Sequence, residues 1–435
     1  MTDHLRIAPF TGLRYSAGKV ADISAVVAPP YDMISAEEQA KLYERHPLNV
    51  VRLILARDGE GGSPDRYAQA AATYAGWKEE GVLVREEEPA IYAYRQDYEW
   101  EGRTYQRLGF IARVALTEFG EGAFPHESTL SGPKADRLRL MTACRANFSS
   151  IFSLFSDAGG RIQDRLEAET ASPPLVELED DKGVEHKLWR LSRPEFHSWI
   201  NEQMRDRQFI IADGHHRYET ALEYRRHMRE DPEGVRGDSD YVMMFLAPIE
   251  SSGLTILPFH RLLSAGDRAV AMEKLGKAFD ISEIALPEEL AQARGAIDAF
   301  LDESDLGVPT FAVYFGGPTF QGLRLKDDFD MTDMVRPGMS PQVAALDVTI
   351  LHHVVFGGLL GLDEQNLVQE GGISFLSRPE DAFSKVRAGG DKAAFFLRPT
   401  RKEQVWDIAM SGQKMPQKST NFYPKLTTGL VINEL

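Results

Sequence analysis

The sequence has 435 residues, 43% of them hydrophobic, which is enough for about two or three domains with apolar cores. Asp and Glu total 66 against 49 Lys and Arg, a formal net charge of −17 at pH 7. This balance argues against nucleic acid or an anionic membrane as a partner, because phosphate neutralisation needs a basic surface. The single cysteine, Cys144, excludes an intrachain disulfide framework and a multi-cysteine zinc site, and we expect it to be a buried structural thiol.

No stretch approaches the roughly 18 consecutive apolar residues that a membrane-spanning helix needs. The first residues, MTDHLRIAPF, lack the charged-then-apolar layout of a signal peptide. We therefore expect a cytoplasmic protein with no membrane and no nucleic acid as partner. The sequence leaves the formation of a homo-oligomer open.

The first third of the sequence mixes helical and strand patterns. Ser35 and Glu38 are spaced as a capping box, in which two side chains satisfy N–H groups at a helix start. Glu101 and Gly102 separate two runs of β-forming residues and predict a hairpin. The predicted elements are a helix from residue 35 to 47, a strand over residues 49–55 (NVVRLIL), a helix from residue 63 to 81, and hairpin strands over residues 91–98 and 104–116.

The rest of the sequence continues this mixed pattern. The middle third predicts strands over residues 151–155, 175–178, 186–191, 209–212, 241–247 and 254–257, and helices starting at Pro133, at a capping box over residues 192–195 and at His215. The last third predicts helices near residues 267–279, 288–302, 343–360, 379–388 and 401–411, and strands near 310–315, 320–325, 373–376, 393–398 and 427–432. The expected fold class is α/β with mixed α+β character, in modules over residues 1–120, 121–265 and 266–435.

One turn concentrates polar side chains where a strand meets a helix. Residues 209–212 (FIIA) predict a buried strand, and residues 215–228 predict a helix. Between them Asp213 is a candidate N-cap, and Gly214 lets the backbone approach a ligand closely. The N–H groups and partial positive charge of a helix N-terminus favour an anion such as phosphate. The side chains that add donors at this end are those of His215, His216 and Arg217.

Two other interpretations of this turn remain open. It could be a capped helix whose histidines bind local carbonyl groups, or a metal site with Asp213, His215 and His216 as ligands. Adjacent histidines on a helix diverge by about 100° and rarely chelate one ion together, and zincin spacing is absent. The pattern therefore favours a phosphate site, and we assign no metal ligand.

The order Asp213-Gly214-His215-His216-Arg217, with Ala221 four residues on, resembles the helix start of the ParB/sulfiredoxin-like nucleotide-binding superfamily, and most of all that of the free-serine kinases. Over its whole length the chain resembles a large prokaryotic family, domain of unknown function 1015. The resemblance implies a ParB/sulfiredoxin-like nucleotide-binding core elaborated with additional mixed α/β modules. The landmarks that carry it are residues 28–32 (APPYD), 131–137 (SGPKADR), 418–425 (KSTNFYPK) and the Asp213 turn.

A second polar cluster opens the middle third, where residues 126–129 (HEST) precede a predicted helix with Lys134, Asp136 and Arg137. A carboxylate such as Glu127 can accept a hydroxyl proton, and Lys and Arg can hold a phosphoryl group in transfer, so the composition fits phosphoryl transfer. A solvated loop and a charged helix start are the structural alternative. Residues 131–134 (SGPK) are not a Walker A loop, which needs a longer glycine-spaced pattern.

The PPYD turn offers a third group of candidates. Its two prolines could fix Asp32 as a catalytic carboxylate beside Tyr31, although a rigid turn with a polar end explains the pattern equally well. Asn49 and Arg52 lie on opposite faces of the strand predicted over residues 49–55, so at most one of them would reach the same site.

A fourth group lies in the C-terminal stretch from residue 414 to 425. Its prolines prevent a helix, and its lysines, serine and threonine offer donors on an exposed backbone. Lys418 and Ser419 are candidates for phosphate contact, and a tail loop that closes over the core is the alternative.

The leading hypothesis is a small-molecule phosphotransferase of serine metabolism. It would be a nucleotide-dependent kinase acting on free L-serine or a similar hydroxyl compound, or would catalyse the reverse reaction on phosphoserine. Its partners would be ATP or ADP, accompanied by Mg²⁺, and a small hydroxyl-bearing metabolite. The alternatives are a ParB-like nucleotide-binding switch without small-molecule chemistry, and a metal-dependent hydrolase.

The roles divide into three sets. The catalytic candidates are Glu127, Asp32 and Asp213, the first two as alternative general bases. The candidates for phosphate or nucleotide binding are Gly214, His215, His216, Arg217, Lys134, Arg137, Lys418 and Ser419. The candidates for substrate binding are Tyr31, Asn49 and Arg52. We expect Glu127, Lys134 and Lys418 to lie around the same cavity as the Asp213 turn.

Overall fold

The computed structural model describes residues 6–59, 63, 65–128, 131–230, 238–264, 268–303, 305, 307–331, 334–335, 338–362, 372–389 and 392–435. Both helices and strands occur throughout these residues, and the predicted mixed α/β class is confirmed. Pro64, in the predicted helix start, and Thr129, in the second polar cluster, lie outside the described residues.

The strands are short except for one long central hairpin. In chain order they are β1 (Ile7–Ala8), β2 (Leu13–Tyr15), β3 (Leu83–Arg85), β4 (Ile91–Trp100), β5 (Arg103–Ala115), β6 (Ala123–Pro125), β7 (Ala146–Asn147), β8 (Ile151–Phe155), β9 (Val176–Glu179), β10 (Glu185–Leu191), β11 (Phe209–Asp213), β12 (Tyr241–Pro248), β13 (Thr255–Leu257), β14 (His260–Ser264), β15 (Phe279–Ala285), β16 (Thr310–Tyr314), β17 (Thr319–Leu325), β18 (Ile373–Leu376), β19 (Lys392–Leu397), β20 (Asn421–Tyr423) and β21 (Asn433–Glu434).

The α-helices range from a single turn to four turns. In chain order they are α1 (Ala36–Arg45), α2 (Val51–Ile54), α3 (Arg66–Glu79), α4 (Ser131–Cys144), α5 (Arg161–Glu169), α6 (Pro194–Met204), α7 (His215–Glu230), α8 (Arg268–Leu275), α9 (Leu290–Asp302), α10 (Pro341–Ala344), α11 (Asp347–Ile350), α12 (Pro379–Arg387) and α13 (Lys402–Met410). A π-helix over Leu351–Leu360 follows α11, and 3₁₀ turns lie at Ile23–Ala25, Tyr31–Met33 and Asp238–Asp240.

The chain forms two compact units. Unit 1 comprises Met1–Pro125, Thr129–Thr255 and Pro424–Leu435, and unit 2 comprises His126–Ser128 and Ile256–Tyr423. The last residues of the chain therefore belong to the same unit as the Asp213 turn. The module boundaries predicted near residues 120 and 265 stay a prediction.

Unit 1 is built on a mixed sheet. Within the described residues its strands run in the order β6-β11-β8-β12-β5-β4-β10-β9, and β1 pairs with β5 beyond the end of β4. The pairs β11–β6 and β12–β8 are parallel, and the other pairs of this sheet are antiparallel. The hairpin β4–β5 supplies the centre, and Glu101 and Gly102 turn it with φ of 53° and 69°, the left-handed conformation that a two-residue hairpin turn requires.

Two hydrophobic cores hold unit 1 together. In one, apolar residues of the sheet pack with buried residues of α5, α6 and α7, such as Phe196 and Leu222. In the other, residues of α1 to α4 pack with the first strands and with Ile432 near the C-terminus. Each large apolar side chain buried in this way contributes about 1.5–3 kcal/mol. Cys144 lies in the second core, so the predicted buried thiol is confirmed, and burial raises its pKa to about 12.

Unit 2 has a sheet of its own. Within the described residues its strands run in the order β15-β17-β16-β19-β14-β18, with every neighbouring pair antiparallel. One core cluster joins α9 and α12 to this sheet through residues such as Phe300 and Phe383. β14 and β15 are absent from the sequence prediction, because most of β15 is exposed and neither strand has a clear alternating pattern.

Local capping explains where two predicted helices start. Ser35 and Glu38 form both bonds of the predicted capping box at the start of α1, and Asp65 caps α3 by accepting from the N–H groups of Tyr67 and Ala68. The capping box predicted over residues 192–195 is wrong. The N-cap of α6 is Arg193, which makes no side-chain capping bond, and Pro194 provides the preset φ of the first helical residue.

Two predicted strands are also wrong. Residues 49–55 form a turn and the short helix α2, because the Asn49 side chain accepts from the N–H of Val51 and the run NVVRLIL lacks the strict alternation that would favour a strand. Within the part of the chain that the structure describes, residues 427–432 make only isolated bridges, Thr428 with Ala28 and Ile432 with Leu13. Gly429, with φ of 106°, interrupts the extended conformation between them.

Candidate functional site

The turn after β11 has the predicted strand–turn–helix form. Residues 209–211 are completely buried between β6 and β8, and α7 begins at His215. The N-cap position is therefore Gly214 and not Asp213 as predicted. Gly214 has φ of 95°, and a Cβ at this position would lie 2.8 Å from Nε of Arg217. Glycine is needed here both for its conformation and for the guanidinium that lies over it.

Two cations share the carboxylate of Asp213. Nη2 of Arg217 donates to Oδ2 at 2.6 Å, and Nζ of Lys425 donates to Oδ1 at 2.8 Å. Burial by itself would raise the pKa of the Asp213 carboxyl, but Lys425 and Arg217, with a smaller contribution from His215, hold this pKa well below its usual range. The carboxylate therefore stays ionised, and the cluster of these three side chains carries one excess positive charge at the N-terminus of α7.

A buried pair on the central hairpin fixes the backbone beside Lys425. Gln96 and Arg107 are cross-strand partners on β4 and β5, and both side chains are completely buried. Nε of Arg107 donates to Oε1 of Gln96 at 3.2 Å, and Nη2 donates to the carbonyl of Pro424. Nε2 of Gln96 donates to the carbonyl of Lys425 at 2.9 Å. Burial lowers the pKa of Arg107 to about 10, which leaves it protonated at neutral pH.

A second polar group lines a small cavity of about 50 Å³ beside the turn. The guanidinium of Arg137 lies 4.0 Å from the centre of the Tyr31 ring, and it donates to Asp136 and to the carbonyl of Ile54. Burial first, and then Asp32, raise the pKa of the Tyr31 hydroxyl to about 12. The polar and apolar residues that line the cavity include Tyr31, Ile54, Arg137, Phe148, Arg217 and Thr220.

The hydroxyl group of Thr220, one of the residues that line this cavity, has unusual surroundings. It is 1% exposed, and among the described residues its Oγ1 has no hydrogen-bond partner. Buried hydroxyl groups are normally hydrogen-bonded, because leaving one unpaired costs about 1–3 kcal/mol. The cavity has room for a water molecule or a small ligand group that would satisfy Thr220.

The other cations and histidines predicted for the turn lie on or against α7. Nζ of Lys134 pairs with Oε2 of Glu219 at 2.7 Å, which ties α4 to α7. His215 is buried and His216 is half-buried in the first turn of α7. Arg217 is buried and also donates to the carbonyl of Ser150.

The remaining candidates in unit 1 differ in their surroundings. Asp32 is exposed in the short 3₁₀ turn that also contains Tyr31. Asn49 is completely buried, and its amide donates to the carbonyls of Ala25 and Val27. The guanidinium of Arg52 lies 4.2 Å from the centre of the Tyr43 ring. Asn49 thus has a structural role in the turn before α2, and substrate binding by Asn49 and Arg52 stays a prediction.

Glu127 and the C-terminal candidates Lys418 and Ser419 belong to unit 2. Oε1 of Glu127 accepts from the N–H groups of Ser419 and Thr420 at 3.1 and 3.2 Å, and from Oγ1 of Thr420 at 3.3 Å. Lys418 has φ of 57°, and its Nζ lies 5.2 Å from the centre of the Phe259 ring. Glu127 therefore stabilises the turn over residues 418–420, and its grouping with the Asp213 turn stays a prediction.

The structure brings together Asp213, Gly214, Arg217, Tyr31 and Arg137 from the predicted set. It adds Lys425, Thr220 and the Gln96–Arg107 pair, which sequence analysis missed. Lys425 is the last residue of the KSTNFYPK landmark, so the sequence pattern could have identified it as a candidate. No sequence pattern distinguishes the buried Arg107 from Arg95, Arg103 and Arg113 of the same hairpin, which are half-buried or exposed.

Among the described residues no three His, Cys, Asp or Glu side chains converge as a metal site would require. None of the helices in the described part of the chain combines the length and apolar composition of a bilayer crossing.

Solved structures with a partial likeness include a free serine kinase in complex with AMP, at 13% identity and a TM-score of 0.34, covering 71% of this chain and 89% of that one. A conserved hypothetical protein from Pyrococcus furiosus has 11% identity and a TM-score of 0.34, covering 73% and 98%. SbnI with a C-terminal truncation, from Staphylococcus aureus, has 9% identity and a TM-score of 0.36, covering 74% and 87%. Likenesses at these TM-scores carry no conclusion about what this chain binds.

No curated protein matches the sequence. A family model does match, over residues 7–349, and its family is described as "Protein of unknown function (DUF1015)". This match covers well over half of the chain and confirms the resemblance inferred from the sequence landmarks. The chain therefore belongs to the DUF1015 family.

Proposed function

We propose that the Asp213 turn of unit 1 binds the phosphate of a nucleotide, and that the protein is a small-molecule phosphotransferase. The observation that carries this proposal is the excess positive charge at the N-terminus of α7, where Arg217 and Lys425 share the single carboxylate of Asp213. An incoming phosphate would neutralise this charge and would accept hydrogen bonds from the first N–H groups of the helix.

The donor would be ATP or ADP, and the acceptor free L-serine or a similar hydroxyl compound. The serine assignment comes from the resemblance of the Asp213-Gly214-His215-His216-Arg217 motif to free-serine kinases. In the forward direction the acceptor oxygen bonds to the terminal phosphorus, and the bond from this phosphorus to its bridging oxygen breaks with the electron pair on the departing nucleotide. The same pocket would serve the reverse transfer from phosphoserine.

The proposed roles follow from the surroundings of each group. Arg217, with the N–H groups at the start of α7, stabilises charge on the transferring phosphoryl group. Asp32 is the preferred general base, because it is exposed beside Tyr31 while Glu127 already accepts three hydrogen bonds in unit 2. Mg²⁺ would enter with the nucleotide and neutralise its phosphates, since Mg²⁺ commonly takes most of its protein-site ligands from phosphate oxygens and water.

The test is an assay of the purified full-length protein with L-serine and either ATP or ADP. We expect phosphoserine, detected by mass spectrometry, together with one equivalent of the shortened nucleotide. Nucleotide hydrolysis that does not depend on serine would favour the switch hypothesis. The absence of any product with either nucleotide, across several hydroxyl amino acids, would refute the kinase proposal.

A pair of variants on α7 locates the activity. Arg217→Met removes a donor from the proposed phosphate site, and we expect kcat/KM to fall by about 10²–10³. Arg229→Met is the matched control, because Arg229 is exposed on the same helix and pairs with Asp240 at the surface. Equal losses in the two variants would show that Arg217 has no special role.

A further inference from the structure

Lys425 lies where a second phosphate-binding cation would be needed. Its Nζ is 2.8 Å from Oδ1 of Asp213, and the two side chains are each 17% exposed. Arg217 takes the other carboxylate oxygen. Asp213 therefore has more positive charge beside it than it can neutralise. The one excess positive charge is shared by the cluster, and a bound anion would neutralise it.

The two cations are not equally able to move. Arg217 is fixed twice, by Asp213 and by the carbonyl of Ser150, and its guanidinium lies against Gly214. The backbone carbonyls of Pro424 and Lys425 are fixed by Arg107 and Gln96, whereas the ammonium group of Lys425 is bonded, among the described residues, only to Asp213. A lysine has a flexible four-carbon stem and three rotatable donors. Nζ of Lys425 can therefore turn to a nearby anion without displacing the chain that carries it.

The backbone of the Lys425 segment is held at further points within unit 1. The N–H of Thr427 donates to the hydroxyl of Tyr94 at 3.4 Å, and Oγ1 of Thr427 lies 3.2 Å from Nε2 of His186. Thr428 exchanges backbone hydrogen bonds with Ala28, at 2.9 and 3.2 Å. Pre-positioning of this kind lowers the conformational entropy that the chain segment loses when Lys425 binds a ligand.

We propose that Lys425 is a further phosphate-contacting residue of the Asp213 site, supplied by the C-terminal segment. In the unliganded protein Asp213 holds its ammonium group. When a phosphate or diphosphate group arrives at the start of α7, Nζ donates to a phosphate oxygen, and Arg217 remains on Asp213. Gln96 and Arg107 are positioning residues, because they hold the backbone carbonyls of Lys425 and Pro424. This inference rests on the anion site of the proposed function, but it does not require the kinase reaction.

Substitutions of Asp213 and of Lys425 should have opposite effects on the affinity for an anion. Lys425→Met removes a ligand, and we expect the Kd for ADP, measured by calorimetry on the full-length protein, to rise at least 10-fold. Asp213→Asn removes the group that competes for Lys425, and we expect ADP to bind about 3- to 10-fold more tightly. In the double variant the gain from Asp213→Asn should disappear, because the freed lysine is no longer present.

Two controls separate binding from folding. Lys182→Met removes an exposed lysine of the same unit, in the loop between β9 and β10, and should leave Kd unchanged. Lys425→Arg keeps the charge and should retain most of the affinity. The affinity should also become less sensitive to salt in Lys425→Met, but not in Lys182→Met, since one screened charge has been lost. A merely structural lysine would not change this salt dependence.

The possible failures can be distinguished. If the wild-type protein binds neither ADP nor inorganic pyrophosphate, both the anion site and the role of Lys425 are refuted. If the wild-type protein binds ADP and folded Lys425→Met binds it equally well, the role of Lys425 is refuted and the anion site stands. Weaker ADP binding by Asp213→Asn in a folded protein would also contradict the proposed exchange of partners.

Discussion

The substitution Asp213→Asn tests how the charged cluster contributes to the stability of unit 1. The carboxylate accepts two charge-assisted hydrogen bonds, from Arg217 at 2.6 Å and from Lys425 at 2.8 Å. Each such bond is worth about 1.5–3 kcal/mol. Asparagine keeps one acceptor but places an N–H₂ group against the other cation, and it leaves the two positive charges uncompensated. The relief from burying a carboxylate offsets part of this loss, so we expect the free energy of unfolding to fall by about 3 kcal/mol.

The pH dependence of this difference identifies its cause. The folded-state pKa of Asp213 is lowered relative to an ordinary carboxyl, whose unfolded value is about 3.9. Its stabilising contribution is therefore fully present above the unfolded pKa and is lost as the pH falls through the folded pKa. The difference between wild type and Asp213→Asn should stay constant from pH 7 to about pH 5. It should shrink only below about pH 4.

Chemical denaturation followed by tryptophan fluorescence can measure this difference. Trp406 is the tryptophan of unit 2, and a Trp406→Phe background makes the signal specific for unit 1. The tryptophans that remain are Trp77, Trp100, Trp189 and Trp199. A stability difference below about 0.5 kcal/mol at pH 7, or one that already shrinks between pH 7 and pH 5, would refute the reasoning about the cluster.

Three further predictions concern the neighbours of this cluster. Gln96→Leu removes the acceptor of the buried Arg107 and the donor to the Lys425 carbonyl, so the free energy of unfolding measured by denaturant should fall by about 2–4 kcal/mol. An unchanged denaturation midpoint would contradict the positioning role. Gly214→Ala forces a positive φ on a residue with a Cβ, so it should cost about 1–3 kcal/mol. Gly76→Ala, in the last turn of α3 with open space around it, should instead stabilise by about 0.5–1 kcal/mol in the same assay. Asp32→Asn should lower kcat by about 10²–10⁴-fold in the phosphoserine assay. Glu127→Gln keeps Oε1 as an acceptor and should lower kcat by less than about 3-fold. The opposite order of effects would identify Glu127 as the general base.

Local sequence signals were sufficient for several elements. The Ser35–Glu38 spacing predicted the start of α1, because a capping box is completed by residues three positions apart. Glu101-Gly102 predicted the β4–β5 hairpin, because few residue pairs adopt the left-handed conformation that its turn needs. The Asp213 turn belongs to the same class. Its apolar strand, its glycine and the polar start of α7 are neighbours in the chain.

Sequence signals failed where the deciding contact was distant. The run NVVRLIL contains no alternation, so its apolar residues are compatible with either a buried strand or a buried helix. The Asn49 amide, bonded to the carbonyls of Ala25 and Val27, favours the turn and the short helix. The residue pattern over 427–432 predicts a strand. Among the described residues, however, its backbone pairs only at two isolated bridges, with Ala28 and with Leu13.

By itself the sequence determined the family, the mixed α/β class, and the strand–turn–helix that carries Asp213, Gly214 and Arg217. Only the tertiary structure decided that Lys425 shares the Asp213 carboxylate, 212 residues away in the chain. The physical reason is that capping, turns and periodicity depend on residues within a few positions of each other, whereas charge pairing depends on distance in space. A buried arginine on the central hairpin, which no local pattern distinguishes, holds the C-terminal segment that makes this pairing possible.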